Sequence, residues 1–126
     1  MDEVDRQALD DQIQEAMGSH GAMKRKLRQA VRNGRLPRPS RSIAADSACT
    51  FGRWLHQLKS DARVAGSPHF KAVVTAHAAF HKSAGQIARM VENGMTDRAA
   101  EMLNEQAFRR SSELLLDEMD AWRRNI

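Results

Sequence analysis

Two histidines, His77 and His81, lie four residues apart in the otherwise apolar, helix-forming stretch Val73–His81. On an α-helix, residues at this spacing lie one above the other on the same face, with Cβ atoms about 5–6 Å apart. Two imidazoles placed in this way can bind one metal ion from the same side. The pair is therefore the first indication of a metal site in this chain.

Two further residues, His20 and Cys49, complete the set of four ligands that zinc prefers. His20 lies in the apolar seam of a predicted first helix, between Ala16 and Met23, and a polar ring that points inward there needs a partner. Cys49 is the only cysteine, so it forms no internal disulfide. It lies in the first turn of a predicted second helix, where free backbone N–H groups and the helix dipole are expected to lower a thiol pKa.

The other two histidines fit such a site poorly. His56 lies seven residues after Cys49, and His69 lies eight residues before His77. At a rise of about 1.5 Å per residue, each is about two turns away along its helix. Both are therefore excluded from the predicted ligand set.

Each candidate ligand also has an ordinary structural interpretation. Histidine pairs at this spacing are common on helix surfaces, an inward histidine is often a hydrogen-bonded core residue, and a lone cysteine is often a small buried hydrophobe. A di-iron bundle is disfavoured, because it needs inward carboxylates in Glu-x-x-His spacing and the chain has no such pair. Spacing alone leaves both a shared metal site and a metal-free core open.

Four predicted helices must position these side chains. Apolar residues at alternating spacings of four and three trace an inward seam on each long helix. The Asn33-Gly34 and Asn93-Gly94 pairs are C-terminal stop signals. The helices are expected at 3–33, from a cap at 46 or 47 to about 59, from 68 to the stop at 93–94, and at about 98–123, with loops at 36–45 and 60–66.

These helices predict an all-α fold, an antiparallel four-helix bundle whose short second helix carries Cys49. No internal repeat or linker divides the sequence, so residues 1–126 are expected to form a single domain. Gly52 lies where another element could press close to the second helix. Gly18 and Gly21 flank His20, either for the same reason or incidentally.

The composition is that of a globular helical protein. Of 126 residues, 41% are hydrophobic and 29% are charged, which suits a packed core rather than a disordered chain. No apolar run approaches the roughly 18–20 residues that span a bilayer. The acidic N-terminus lacks the apolar centre of a secretory signal. A cytoplasmic location without a membrane span is therefore expected.

The net charge of +4 is concentrated in a basic stretch, residues 24–41, which contains eight lysines and arginines and no acidic residue. Binding to nucleic acid or anionic lipid is one interpretation. The other is a solvated helix C-terminus, where the dipole favours cations, followed by a basic loop. No aromatic residue interrupts the stretch as a base-stacking surface requires, so no nucleic-acid partner is expected. A metal-free bundle that docks a partner protein or an anionic surface through this stretch is an alternative function.

Three motifs carry a resemblance to a known family. They read His20-Gly21-Ala22-Met23, Cys49-Thr50-Phe51-Gly52-Arg53-Trp54 and His77-Ala78-Ala79-Phe80-His81, with 25 and 22 residues between them. In this order they resemble the chemoreceptor zinc-binding (CZB) family of bacterial sensory proteins, whose pattern is His-x-x-aromatic/Leu, Cys-x-apolar-Gly-x-aromatic/apolar and His-x-x-x-His. Met23 is the one departure, because an aromatic residue or leucine is commoner there. Met23 is still apolar, so the departure concerns packing and not ligation.

The resemblance implies that His20, Cys49, His77 and His81 bind Zn²⁺ within a helical bundle. It also implies a regulatory role, since members usually sit beside chemotaxis signalling or diguanylate cyclase domains, sense zinc or oxidants such as hypochlorous acid, and often dimerise. The expected partners are a chemoreceptor or diguanylate cyclase protein and a second copy of the chain, with Cys49 as the redox-sensing residue. Four protein ligands leave no open position for a substrate, so no enzymatic activity is expected.

Overall fold

Within residues 2–126, which the computed structural model describes, the chain forms seven α-helices, one 3-10 turn and no β-strand. The predicted all-α helical bundle is confirmed. Met1, the first residue of the predicted single domain, lies outside the described residues. The helices are α1 (Glu3–Asn33), α2 (Ser40–Ala44), α3 (Thr50–Leu58), α4 (Ala62–Ala65), α5 (Pro68–Glu92), α6 (Thr96–Asn104) and α7 (Gln106–Arg124), and the 3-10 turn is Asp46–Ala48.

The two long helices begin and end where their capping residues predict. The Asp2 side chain accepts a hydrogen bond from the Asp5 backbone N–H at 2.9 Å, and α1 ends at Gly34, whose φ of 72° is left-handed. The Ser67 side chain accepts from the Phe70 N–H, and Pro68 occupies the first position of α5. Side-chain caps and a C-terminal glycine satisfy backbone groups that the ends of a helix leave free.

The prediction of one continuous last helix is wrong. The chain breaks at Glu105, whose extended backbone (φ −75°, ψ 151°) separates α6 from α7. Ala99 and Phe108 are both buried, yet nine residues on an unbroken helix place them on opposite faces at about 100° per residue. The break turns both residues towards the core. Ala100 and Ala107, on either side of the break, are exposed.

Both predicted loops contain a short helix. The first holds α2, whose Ile43 is buried, and the second holds α4, whose Val64 is buried. Helices of four or five residues are too short to show a hydrophobic period. Each depends on contacts with the bundle, among them that of its buried apolar side chain, because so few residues do not form a helix alone.

Helix α5 packs against α1, α2, α6 and α7 and supplies much of the buried core. Arg63, just before α5, binds Asp5 near the start of α1 at 3.1 Å, so both long helices begin at the same end. Arg123, near the end of α7, binds Asp10 of α1 at 2.8 Å, so α7 runs back to that end. None of the helices in residues 2–126 has the length and apolarity needed to cross a membrane.

Candidate metal centre

His77 and His81 lie on the buried face of α5, and both side chains are completely inaccessible to solvent. Their ring centroids are 4.5 Å apart, as the spacing of four residues on a helix requires. Phe80, on the same helix, packs edge-on against His81 and against His20 of α1. The two imidazoles are therefore core side chains and not surface polar residues.

His20 faces this pair from α1. Its ring centroid lies 5.0 Å from that of His77 and 5.6 Å from that of His81, and its side chain is buried. Nδ1 donates a hydrogen bond to the backbone carbonyl of Ala16, one helical turn earlier, at 2.7 Å. A ring that is protonated on Nδ1 keeps the lone pair of Nε2 free for a metal.

The sequence predicted Cys49 in the first turn of α3. In the structure Cys49 is instead the N-cap of this helix. Residues 46–48 form the 3-10 turn instead of the start of the helix, and Cys49 has extended backbone (φ −99°, ψ 153°). Its Sγ accepts a hydrogen bond from the Gly52 N–H at 3.2 Å and lies 3.3 Å from His77 Nε2. The cap therefore directs the sulfur towards the histidines.

Gly52 permits the turn that carries Cys49. A Cβ at Gly52 would lie 1.7 Å from the carbonyl oxygen of Asp46 and 3.1 Å from Cε1 of His77. The predicted close approach at this glycine is confirmed. Gly18 and Gly21 are different, because within residues 2–126 a Cβ at either would meet no other helix within 4 Å. Their position beside His20 is incidental to packing.

The structure brings all four predicted residues together. One nitrogen from each of His20, His77 and His81 and the sulfur of Cys49 lie within 4.8 Å of one another. Bond lengths of about 2.0–2.1 Å for nitrogen and 2.3 Å for sulfur place the ligand atoms of a tetrahedral site with three nitrogens and one sulfur about 3.3–3.6 Å apart. Small movements of the side chains would close the set on one ion. His56 is exposed and faces Asp46 at 4.0 Å, outside the cluster, as predicted.

The hydrogen bonds of the rings test whether a cation fits. His81 Nδ1 donates to the backbone carbonyl of Ile43 at 2.8 Å, and its Nε2 is buried without a hydrogen-bond partner in the described chain. A buried polar atom left unpaired costs about 1–3 kcal/mol. A metal ion among the four ligand atoms would accept that lone pair. The nitrogen and thiolate donors are those that zinc binds.

His77 is held differently from the other two histidines. Its Nε2 faces the sulfur of Cys49, and its Nδ1 is buried without a hydrogen-bond partner in residues 2–126. Metal-binding histidines usually donate their second N–H to an acceptor that fixes the ring. The ring of His77 is positioned by packing instead, with Phe51 edge-on at 5.3 Å between centroids.

Burial decides the protonation of the site before any ion binds. It lowers the pKa of all three histidines, that of His77 to about 3, so the imidazoles are neutral at pH 7. Burial also raises the pKa of the Cys49 thiol and outweighs the N–H groups of Gly52 and Phe51, which lower it. The predicted lowering of this pKa is therefore wrong for the metal-free chain. Neutral imidazole is the form that binds zinc, and the thiol must lose its proton on binding.

Cys49 is the most accessible of the four side chains. The three histidines are 0–5% exposed, whereas Cys49 is only partly buried. It lines a groove of about 500 Å³ between α1 and the segment that follows it, together with His20, Met23 and Phe51. Solvent therefore reaches the site from the side of the sulfur.

Some residues of the site carry no signal in the sequence. The backbone carbonyls of Ala16 and Ile43 orient His20 and His81, and every residue has such a carbonyl. Gly85, one turn after His81, does have a possible signal, because a glycine inside an apolar helix indicates close approach of another backbone. A Cβ there would lie 2.4 Å from the Cβ of Ala44.

A sequence profile of the chemoreceptor zinc-binding domain matches residues 20–88. The matched range covers just over half of the chain and contains all four clustered residues. Comparisons with curated proteins and with solved structures give no significant match.

Proposed function

Because the chain belongs to the chemoreceptor zinc-binding domain family, we propose that it binds one zinc ion through His20, Cys49, His77 and His81 and acts as a sensory domain. The observation that supports this most strongly is the convergence of the four side chains from α1, the cap of α3 and α5 within 4.8 Å. Buried polar side chains need a polar or ionic partner, and one metal ion held by these four would supply it.

A regulatory role is favoured over catalysis by the number of ligands. Catalytic zinc sites keep one position open for water or substrate, whereas structural sites are closed by four protein ligands. Three imidazoles and a thiolate at this spacing would fill a tetrahedral ion. The family itself is one of regulatory sensory domains.

The proposed signal is oxidation of Cys49. Its thiolate would attack the oxygen of hypochlorous acid, which breaks the O–Cl bond. The sulfur loses two electrons and becomes sulfenic acid, and the chlorine leaves as chloride. Sulfenic acid is a poorer ligand than thiolate, and the same sulfur caps α3 through the Gly52 N–H. The groove beside Cys49 gives an oxidant access that the buried histidines lack. Oxidation would thus loosen both the ion and the start of α3.

Zinc itself is the second candidate stimulus. A ligand that binds only the folded, closed site stabilises that state by an amount that grows with its concentration. If zinc binds reversibly at cellular concentrations, its occupancy sets the same equilibrium that oxidation would shift. Zinc affinity, measured by competition with a chelator of known affinity, distinguishes the two stimuli.

The output partner is proposed from the family. CZB domains are found in chemoreceptor signalling proteins, and we infer that this domain, residues 1–126, signals in the cytoplasm to a chemoreceptor or a diguanylate cyclase, as a monomer or a homodimer. The alternative, a metal-free adaptor, has support in the exposed arginines of residues 25–41. Elemental analysis of protein purified without a histidine tag separates the two: about one zinc per chain supports the sensory domain.

The redox proposal is tested by zinc release after stoichiometric hypochlorous acid, read with a colorimetric chelator. We expect the wild type to release its zinc and to rebind it after dithiothreitol, which reduces sulfenic acid but not methionine sulfoxide. Met23→Leu is the matched control, because Met23 lines the same groove and is also oxidisable. Release that is equal in wild type and Cys49→Ala, or that is lost in Met23→Leu, would contradict the role of Cys49.

A further inference from the structure

The acceptor that orients His81 lies on α2, a helix of only five residues. So short a helix has no stability of its own in water, because nucleation costs more than its few hydrogen bonds return. Its position, and with it the position of the Ile43 carbonyl, must be fixed by contacts with its neighbours. Besides the buried Ile43 side chain, two contacts with α5 do this.

The first contact is between Glu92 and the start of α2. One oxygen of the Glu92 carboxylate accepts from the Ser40 backbone N–H and the other from the Ser40 hydroxyl, each at 2.6 Å. Pro39, the N-cap of α2, offers no side-chain hydrogen bond, so Glu92 supplies the cap from another helix. These hydrogen bonds also lower the pKa of Glu92 and keep it ionised.

The second contact is between Gly85 and the end of α2. A Cβ at Gly85 would lie 2.4 Å from Ala44 Cβ and 2.7 Å from Ala44 Cα. The two backbones can approach so closely only because residue 85 has no side chain. His81, Gly85 and Glu92 follow one another at spacings of four and seven, so they share one face of α5.

We propose that Gly85 and Glu92 are positioning residues for the ligand His81. They hold α2 at its two ends on one face of α5, so that the Ile43 carbonyl accepts from Nδ1 and Nε2 is turned to the ligand cluster. The influence of Gly85 and Glu92 on metal affinity rests on the proposed zinc binding. Their influence on the orientation of the His81 ring does not. Loss of an outer hydrogen bond to a metal-binding histidine typically costs 10–100-fold in affinity.

His20 provides an internal reference for this proposal. Its Nδ1 donates to Ala16 on its own helix, so its orientation does not depend on α2. A change that acts through α2 should therefore alter the ring of His81 and leave the ring of His20 as it was. A general loosening of the core would alter both.

The first experiment follows the side-chain ¹⁵N and ¹H resonances of the two rings in the metal-free protein. In wild type we expect both rings to carry the proton on Nδ1. In Glu92→Ala and Gly85→Ala the Nδ1 resonances of His81 should shift and the Nδ1 proton should exchange faster, whereas the resonances and the exchange of His20 should change much less. Glu92→Gln keeps one acceptor oxygen, so its His81 shifts and Nδ1 proton exchange rate should lie between those of Glu92→Ala and those of wild type.

The second experiment measures zinc affinity of the same variants by chelator competition. We expect affinity to fall by about 10–100-fold in Glu92→Ala and Gly85→Ala and by less in Glu92→Gln. Two variants are the matched controls. Gly18→Ala adds a Cβ that would meet no atom of the described chain within 4 Å, and Glu101→Ala removes an exposed carboxylate bound to Arg98. Both should bind zinc as the wild type does.

His81 resonances in Glu92→Ala that match those of wild type would overturn the proposal, as would equal shifts of His20 and His81. Glu92 is exposed, so this variant keeps the test decisive if Gly85→Ala does not fold. A wild-type chain that binds no zinc would refute the proposed function instead. The comparison of the two rings would then still decide whether Gly85 and Glu92 position His81.

Discussion

At the scale of single residues, the geometry of the candidate metal centre depends on Gly52 as well as on the four ligands. The absence of a side chain there lets the turn before α3 fold back, so that the Gly52 N–H binds the Cys49 sulfur. The obstacle to any larger residue is a backbone carbonyl, that of Asp46, and not the flexible end of a side chain. Such a contact is relieved only by moving the turn.

Gly52→Ala should therefore weaken zinc binding although it removes no ligand. We expect the free energy of unfolding to fall by about 1–3 kcal/mol, as for other overpacking substitutions, with a loss of zinc affinity in addition. Gly18→Ala should instead stabilise the chain by about 0.5–1 kcal/mol, because alanine is the better helix former where space is open. Urea unfolding and chelator competition on both variants check this. Wild-type affinity in Gly52→Ala would contradict the role of the turn.

The sequence predicts the side chains of the site better than their surroundings. His20, Cys49, His77 and His81 were identified by residue type, helical spacing and family motif, and the structure brings them together. The direction of the Cys49 pKa was predicted wrongly, because the helix N-terminus is visible in a sequence and the depth of burial is not.

At the scale of helices, α3 is the element that the ligand set holds most directly. It has nine residues, and its N-terminus is capped by the candidate ligand Cys49 itself. Helix α7, by contrast, carries no candidate ligand and packs on α5 through an apolar face. Zinc should therefore stabilise the start of α3 more than it stabilises α7.

Hydrogen exchange followed by mass spectrometry tests this difference. Removal of zinc should increase amide exchange in the peptide that covers residues 46–53 and should change the peptide from residues 108–122 much less. Cys49→Ser is a suitable variant, because a hydroxyl can cap the helix while binding zinc poorly. We expect its exchange to depend little on zinc. An equal change in both peptides of the wild type would contradict the assignment of α3 as the responsive element.

Helix boundaries are predictable where a capping residue, glycine or proline marks them. Gly34 at the end of α1 and the Ser67-Pro68 pair at the start of α5 are such markers. The break at Glu105 follows Asn104 but has neither a glycine nor a proline near it. Its cause is the need to bury Ala99 and Phe108 on the same side, which only the packed structure shows.

At the scale of the whole molecule, three neutral imidazoles in one core make the metal-free fold sensitive to acid. Burial lowers their pKa values below the unfolded value of about 6.5, so below that pH the unfolded chain binds more protons than the native chain. Stability should therefore be full above pH 6.5 and fall as the pH falls towards the native pKa values. For His77 that window extends down to about pH 3.

Urea unfolding of the metal-free chain between pH 7 and pH 5 measures this loss. His77 alone should account for about 2 kcal/mol over that range, at 1.36 kcal/mol per pKa unit. His77→Leu should flatten the pH dependence of the free energy of unfolding relative to wild type. Identical slopes for His77→Leu and wild type would contradict a neutral, buried His77.

We propose that one zinc ion joins α1, the N-cap of α3 and α5 through three nitrogens and one sulfur. X-ray absorption at the zinc edge of the loaded protein measures this directly. We predict one sulfur at about 2.3 Å and three nitrogens at about 2.0 Å, with the sulfur lost in Cys49→Ala. A wild-type spectrum with only nitrogen and oxygen neighbours, or protein that retains no zinc after dialysis, would contradict a zinc site built from these four side chains.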